Sequence, residues 1–169
     1  MYWKSEVYGN DLKKAFDGTV NLRDLYHGNI LIAGATGLIG SFIADVLLYA
    51  NETENAGIGL YLLARNEERI KERFRSHLKE ENLHFLIQDV TEPLKTDVHF
   101  DYMIQAAGDG FPSAFREHPV ETMTPALFGT CQLLQYAKEK GLKKFLYISS
   151  GEIYGKLYGE EHAFREEDC

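Results

Sequence analysis

Apolar residues in this chain fall into short runs separated by stretches with helical spacing. Five runs are almost continuously apolar and predict strands: Asn29–Ala33, Ile58–Leu63, His84–Ile87, Asp101–Ala106 and Lys144–Ser149. Strands of this kind are typical of a parallel sheet that is covered on both faces. Since crossover connections are right-handed, we predict a doubly wound α/β fold with the strand order 3-2-1-4-5.

Helical periodicity appears between the strands. Leu38–Ala50 places its apolar side chains on one side, and Asn51–Gly57 reads as a polar turn. Asn66–Glu80 carries one apolar stripe among charged residues, which is typical of a surface helix that rests on a sheet.

A long helical region is predicted at His118–Lys140. Pro125 is expected to begin its main helix with Thr124 as the N-cap, and Gly141 is expected to end it.

The first 28 residues precede the first predicted strand and form an N-terminal helical extension. Loosely spaced apolar residues predict one or two short helices that cover an edge or face of the sheet: Leu12, Ala15, Phe16, Leu22 and Leu25. Packing on the domain is favoured over a role in self-association. The predicted organisation is an extension over 1–28, a nucleotide-binding domain over 29–155, and the start of a further segment over 156–169.

A glycine-rich turn joins the first strand to the first helix. Its residues are Gly34, Ala35, Thr36, Gly37, Leu38, Ile39 and Gly40. Gly34 permits the tight turn, Gly37 lets the backbone approach a diphosphate, and Gly40 lets the helix pack closely on the sheet. The free N–H groups and the positive dipole end of the helix then favour that diphosphate. The alternative is a tight turn with no ligand. A P-loop is excluded because no Gly-Lys-Ser/Thr follows.

Composition narrows the function classes. The chain has 169 residues, 44% of them hydrophobic, and a formal net charge of −8. This acidic balance argues against a nucleic-acid binder. Cys131 and Cys169 lack a partner motif and are expected to be free thiols in a reducing compartment. The six histidines show no metal-binding spacing, so no metal is predicted. No signal or membrane segment is apparent, so a soluble cytoplasmic protein without membrane partners is expected.

The GxxGxxG spacing at Gly34–Gly40 resembles the short-chain dehydrogenase/reductase superfamily. More narrowly, it resembles the extended branch, the NAD-dependent epimerase/dehydratase family, whose members act on nucleotide sugars. Three further motifs follow in the family's order: Gln88-Asp89-Val90, Gln105-Ala106-Ala107-Gly108 and the run Tyr147–Gly155. The resemblance covers Asn29 to Gly155 and implies a Rossmann-like domain. It also implies that Asp89 and Val90 lie beside the adenine, and that Ala106, Ala107 and Gly108 lie beside the nicotinamide.

The cofactor is NAD or NADP. The second strand ends in Leu63-Ala64-Arg65-Asn66, without the acid that usually binds the ribose of NAD. Arg65 could pair with the 2′-phosphate of NADP. It could also stack on adenine while Asn66 holds the ribose of NAD, or be a solvated surface residue.

The resemblance further implies that Ser150 hydrogen-bonds the sugar hydroxyl that is oxidised. Glu152 matches the base of the family's dehydratases, but Gly151 stands where those enzymes have an acid. Since elimination of water needs both groups, dehydration is disfavoured. The run is closer to the Thr-Ser-Glu of UDP-glucuronate decarboxylases and also allows an epimerase. Ala126 departs from the family's usual Asn, which weakens the expected hydrogen bonds of the pocket.

The catalytic Tyr-x-x-x-Lys pair of the family has no match after Tyr154. Tyr136 and Lys140 have the spacing but lie on the helix before the fifth strand, and Tyr158 has His162 at the lysine position. We therefore expect the N-terminal part of a longer enzyme, which binds a dinucleotide weakly and is inactive alone. The full enzyme is expected to take a nucleotide sugar, and a homodimer is compatible with the sequence.

Two other functions stay open from the sequence alone. One is a non-catalytic NAD(P)-binding sensor of the atypical branch, which keeps the glycine turn without the tyrosine chemistry. The other is a reductase of a different carbonyl compound.

Overall fold

Five parallel strands form one sheet in the order β3-β2-β1-β4-β5, as predicted. The computed structural model describes residues 5–155 and 163–168. Its strands are β1 (Asn29–Ala33), β2 (Gly59–Ala64), β3 (Leu83–Ile87), β4 (Tyr102–Gln105) and β5 (Lys144–Tyr147). In the register at the sheet centre, Ile32 lies between Leu62 of β2 and Ile104 of β4.

The near-continuous apolar character of the central strand β1 follows from burial of both sheet faces, whereas the edge strand β5 is largely exposed, contrary to the prediction of a sheet covered throughout. Successive side chains of a strand point to opposite faces. Ile30 and Ile32 enter one core cluster, while Leu31 and Ala33 enter the other. The first cluster includes α2 (Leu38–Glu54), and the second includes α6 (Thr130–Lys140). All four strand residues are therefore withdrawn from water.

Two helix boundaries differ from the sequence prediction. Helix α2 continues to Glu54, beyond the predicted end at Ala50. Asn51 is helical, and its side chain exchanges hydrogen bonds of 2.9 and 2.8 Å with the backbone of Ile58. The predicted helix 66–80 is instead α3 (Glu67–Arg73) followed by a 3₁₀ turn at Arg75–His77.

The predicted helix start at Pro125 is wrong. A short helix α4 (Pro112–Glu117) precedes α5 (Pro119–Thr124), and a π-helical turn at Pro125–Gly129 joins α5 to α6. Thr124 has helical dihedral angles, and its hydroxyl donates 2.7 Å to the carbonyl oxygen of Val120, so it caps nothing. Proline has no N–H and its ring crowds the preceding turn, which the wider π turn accommodates. Gly141 ends α6 as predicted, with φ +81°.

The N-terminal extension forms α1 (Glu6–Gly18) and a 3₁₀ turn at Leu22–Leu25, in agreement with one or two short helices. Leu22 enters the core of the sheet, but α1 packs chiefly on α2. The extension thus covers a helix as well as a sheet face. Most of the predicted segment 156–169, including Tyr158, His162 and Cys169, lies outside the described residues. Among the described residues, no helix has the length and apolarity needed to cross a bilayer.

A buried carboxylate ties three helices together. Asp45 of α2 has 0% of its side chain exposed and pairs with the guanidinium of Arg73 on α3, whose side chain is 16% exposed. The hydroxyl of Tyr8 on α1 also donates to Asp45. Burial, reinforced by the hydrogen bond to Asp45, raises the pKa of Tyr8, so the phenol stays protonated. This cluster explains an acid inside the otherwise apolar face of α2.

Asp45→Asn is expected to lower the free energy of unfolding by about 3 kcal/mol, because it leaves the Arg73 charge buried without its carboxylate. Urea denaturation measures this change. Glu67→Gln is the control, since it removes an exposed ion-pair partner on α3 and is expected to cost less than about 0.5 kcal/mol. Equal losses in the two variants would contradict a stabilising role of the buried pair.

Candidate dinucleotide-binding site

All five strands end at one edge of the sheet, and the predicted site residues follow those ends. The glycine turn follows β1, Arg65 follows β2, Asp89 comes two residues after β3, and Ala106 follows β4. The chain reverses its direction of winding between β1 and β4, and a crevice forms at such a switch point. The structure therefore gathers the predicted cofactor residues at one edge.

Gly34 sits where the turns after β1 and β4 come closest. It has φ +80°, and a Cβ atom there would lie 2.4 Å from the carbonyl oxygen of Ala106. Gly40 packs on the glycine turn itself, where a Cβ atom would lie 2.5 Å from the carbonyl oxygen of Gly34. Both positions therefore require glycine for packing, which agrees with the roles predicted for them.

Gly37 is less crowded than Gly34 and Gly40, the other two glycines of the turn. Its φ of −77° suits any residue, and a Cβ atom would have one near neighbour, the carbonyl oxygen of Gly34 at 3.3 Å. Gly37 is the N-cap of α2, and in the described chain no side chain caps this helix start. Its own N–H is engaged in the turn with Gly34.

The next N–H groups, those of Leu38, Ile39 and Gly40, begin the helix and have no acceptor within it. The side chains of Leu38 and Ile39 are exposed, at 89% and 51%. Backbone donors at an exposed, positively polarised helix end form a cradle for an anion such as a diphosphate. Thr36 is half-buried beside this cradle.

Gln105 organises the opposite wall and was not singled out as a site residue from the sequence. Its side chain is 1% exposed and bridges the end of β4 to the π turn. The amide nitrogen donates 3.0 Å to the carbonyl oxygen of Pro125, and the amide oxygen accepts from the N–H of Ala107 at 3.0 Å. Gln105 thereby fixes the turn of Ala106, Ala107 and Gly108. The signal available in the sequence was a polar residue at a core position of a central strand.

The side chain of Val90 packs in the core cluster on the α6 side of the sheet. A Cβ atom at Gly129 would lie 2.8 Å from Val90 Cγ1, so Gly129 lets the π turn pack on this side chain.

Arg65 and Asp89 face each other across the ends of β2 and β3, with Arg65 Nη1 3.8 Å from Asp89 Oδ2. The backbone N–H of Thr91 donates to Asp89 and holds the pKa of its carboxyl below the usual range; the Thr91 hydroxyl and Arg65 act in the same direction. Asp89 is therefore an ionised carboxylate beside an exposed guanidinium. Asn66 caps α3 by accepting from the N–H of Arg69 at 2.8 Å.

Ser150 and Glu152 lie in the exposed segment after β5. Ser150 Oγ accepts from the backbone N–H of Glu152 at 3.2 Å and caps the 3₁₀ turn Gly151–Tyr154. Ser150 therefore has a local capping role, and among the described residues its hydroxyl is an acceptor only.

Tyr136 is a core residue at the other end of the sheet. Its hydroxyl donates to the carbonyl oxygens of Thr96 and Val98, which precede β4, at 2.9 and 2.8 Å. Lys140 pairs with Asp97 in the same region. The Tyr136–Lys140 spacing therefore carries no chemistry at the carboxyl edge.

The fold and the glycine cradle define a Rossmann-type nucleotide-binding protein. Residues 30–169 match the NAD dependent epimerase/dehydratase family, and the chain belongs to that family. The family's NAD dependence agrees with the nicotinamide dinucleotide predicted from the sequence.

Curated relatives include UDP-glucuronic acid decarboxylase 3 of Arabidopsis thaliana, 30% identical over 75% of this chain and 34% of the relative. UDP-glucuronic acid decarboxylase 1 of Danio rerio is 30% identical over 75% of this chain and 28% of its own length. The chain therefore spans about a third of the length of these relatives.

Solved structures share the fold. UDP-glucuronic acid 4-epimerase from Bacillus cereus, in complex with UDP-glucuronic acid and NAD, has a TM-score of 0.65 at 23% identity, over 82% of this chain and 44% of that one. The DesIV double mutant, a dTDP-glucose 4,6-dehydratase from Streptomyces venezuelae, has a TM-score of 0.69 at 17% identity, over 83% and 44%.

Gly34→Ala is expected to destabilise the domain by about 2–4 kcal/mol, since a side chain there combines positive φ with overlap of the Ala106 carbonyl. Gly108→Ala is the control, because among the described residues beyond its chain neighbours no atom lies within 4 Å of its Cβ position. Thermal or urea unfolding should show a change under about 0.5 kcal/mol for the control. Similar stability of the two variants would refute the close approach at Gly34.

Proposed function

We propose that this chain is the cofactor-binding part of an NAD-dependent enzyme that modifies a nucleotide sugar through a transient keto-sugar. The observation that carries the proposal is the glycine cradle, where uncapped N–H groups of α2 face the crevice beside the Ala106–Gly108 turn. Bound NAD would supply the chemistry by accepting a hydride from a sugar carbon and returning it. The residues of this chain would bind and orient it.

Decarboxylation or epimerisation is proposed over dehydration. Glu152 offers a carboxylate after β5, while Gly151 offers no acid to protonate departing water. The matched relatives that are UDP-glucuronic acid decarboxylases support this choice. We propose a nucleoside-diphosphate uronic acid as the substrate class.

Ser150 is proposed to hold the sugar hydroxyl that is oxidised. Its oxygen accepts the N–H of Glu152, and the hydroxyl can still donate its own hydrogen to a substrate oxygen. Glu152 is exposed and lies on the same turn, within reach of a sugar held by Ser150.

NAD is proposed over NADP. The guanidinium of Arg65, which could attract a 2′-phosphate, is partly neutralised by Asp89 at 3.8 Å. A 2′-phosphate placed there would also be repelled by the ionised Asp89. A homodimer stays a prediction.

Gly37→Ala should cost about 1 kcal/mol of stability, because alanine is a poorer N-cap than glycine and its methyl would lie 3.3 Å from the Gly34 carbonyl oxygen. The same methyl occupies the approach of the diphosphate and should weaken NAD binding at least about tenfold. Isothermal titration of the purified chain with NAD measures this effect. Gly18→Ala is the control, because Gly18 ends α1, is not a predicted site residue, and has no described neighbour within 4 Å of its Cβ position. Undiminished NAD affinity in a folded Gly37→Ala chain would argue against the cradle as the diphosphate site.

Asp89→Asn is expected to raise the affinity for NADP relative to NAD about fivefold, since one carboxylate charge near 4 Å in water is worth about 1 kcal/mol. Titrations with both cofactors give this ratio. Glu92→Gln removes an equal charge that pairs with Lys95 instead of Arg65, and should leave the ratio unchanged. A wild-type preference for NADP would overturn the assignment.

The chain by itself is expected to turn over nothing, because its one Tyr-x-x-x-Lys spacing, Tyr136 to Lys140, faces the amino edge of the sheet. Incubation with NAD and UDP-glucuronic acid, followed by chromatography of the sugar nucleotides, tests this. Conversion at an ordinary enzymatic rate would show that another group serves as the base.

A further inference from the structure

Three potential metal-ligating side chains cluster at the C-terminal end of α2, whereas the glycine cradle lies at the start of that helix. Glu52 in the last turn of α2 meets His77 and Glu80, which come from the 3₁₀ turn and the residues just before β3. One donor atom from each of the three residues lies within 4.8 Å of the other two. From this juxtaposition we infer a binding site for a divalent transition-metal cation, with Zn²⁺ as its representative.

The geometry of the three donors suits a single small ion. The three donor atoms lie within 4.8 Å of one another, and any three such points fit inside a circle whose radius is that distance divided by √3. Some position therefore lies within about 2.8 Å of all three donor atoms. Zinc binds histidine nitrogen and carboxylate oxygen at about 2.0–2.2 Å. The carboxylates need to close by less than about 1 Å, and both belong to exposed residues that can do so.

His77 is the buried ligand of the cluster, and the fold holds its side chain in place. Its side chain is 4% exposed, and its Nδ1 lies 3.5 Å from Glu52 Oε1. Glu80 stands three residues after His77, and the backbone N–H of Glu80 donates 3.0 Å to the carbonyl oxygen of His77, which closes the turn. One donor is therefore buried and positioned by the fold, and the turn sets the second donor relative to it.

The electrostatic surroundings favour a cation. The carboxyl end of α2 carries the negative end of the helix dipole, and its last turn contains no basic residue. A pocket of about 320 Å³ opens beside the cluster, lined by Glu52, Glu80 and Glu81, with Lys79 as the basic residue among its described lining. An ion would have room to enter and to keep water in the remaining coordination positions.

The donor set also selects the kind of ion. An imidazole with two carboxylates suits Zn²⁺ and similar transition metals, whereas Mg²⁺ and Ca²⁺ prefer oxygen ligands throughout. A bound ion would join the end of α2 to the turn before β3 and should stabilise the folded chain in proportion to its affinity. This inference is independent of the dinucleotide site, since none of its three ligands lies there.

Titration of the metal-free chain with ZnCl₂ by calorimetry tests the site, alongside the visible absorption of added Co²⁺. The expected result is one Zn²⁺ per chain, with weaker binding of Mg²⁺ and Ca²⁺. Glu52→Gln and Glu80→Gln should each weaken Zn²⁺ binding at least about tenfold, because loss of a direct ligand should cost no less than loss of an outer-sphere partner. Glu81→Gln is the matched control: it lines the same pocket and removes the same charge, but it is outside the donor set.

His77→Gln removes the buried ligand and should also weaken Zn²⁺ binding. If that variant fails to fold, the substitutions of the two exposed glutamates still test the site. Cys131 is an exposed free thiol present in every variant, so zinc held there would be unaffected by the glutamate substitutions. Absence of Zn²⁺ binding, equal affinities in Glu80→Gln and Glu81→Gln, or Mg²⁺ binding as tight as Zn²⁺ binding would each overturn the inference.

Discussion

The close approach of two turns at Gly34 is the constraint on which the site depends. The backbone after β1 passes so near the Ala106 carbonyl that no side chain fits between them. That contact aims the start of α2 across the switch point of the sheet, and Gln105 holds the facing turn from behind. The close packing at Gly34 and Gly40 fixes the position of this helix start. No side chain among the described residues caps it, so its first N–H groups stay available to a ligand.

Much of the fold could be predicted from the sequence because both faces of the sheet are buried at its centre. Ile30 to Ala33 are apolar without alternation, and the structure divides them between two cores. The glycine turn could also be predicted, since the backbone packs so closely at Gly34 and Gly40 that other residues do not fit. Their context between a strand and a helix made the spacing informative.

Other features depend on tertiary contacts that local pattern does not encode. Pro125 looked like a helix start, yet the chain enters it already helical and widens into a π turn. Asn51 is typical of a turn, but it is helical and its side chain forms hydrogen bonds with the backbone of Ile58 across the following loop. His77 and Glu52 are distant in sequence and meet only after α3 folds back. The roles of Ser150 and Glu152 rest on resemblance, because they depend on a substrate that local geometry alone does not define.

The central claim is that the amide groups at the start of α2 hold the diphosphate of a dinucleotide. Nitrogen-15 NMR of the purified chain during titration with NAD tests it most directly. The account predicts that the largest shifts fall on the amides of Leu38, Ile39 and Gly40, with further shifts at Ala107 and Gly108. Saturable NAD binding that leaves the amides of Leu38 to Gly40 unmoved would contradict it.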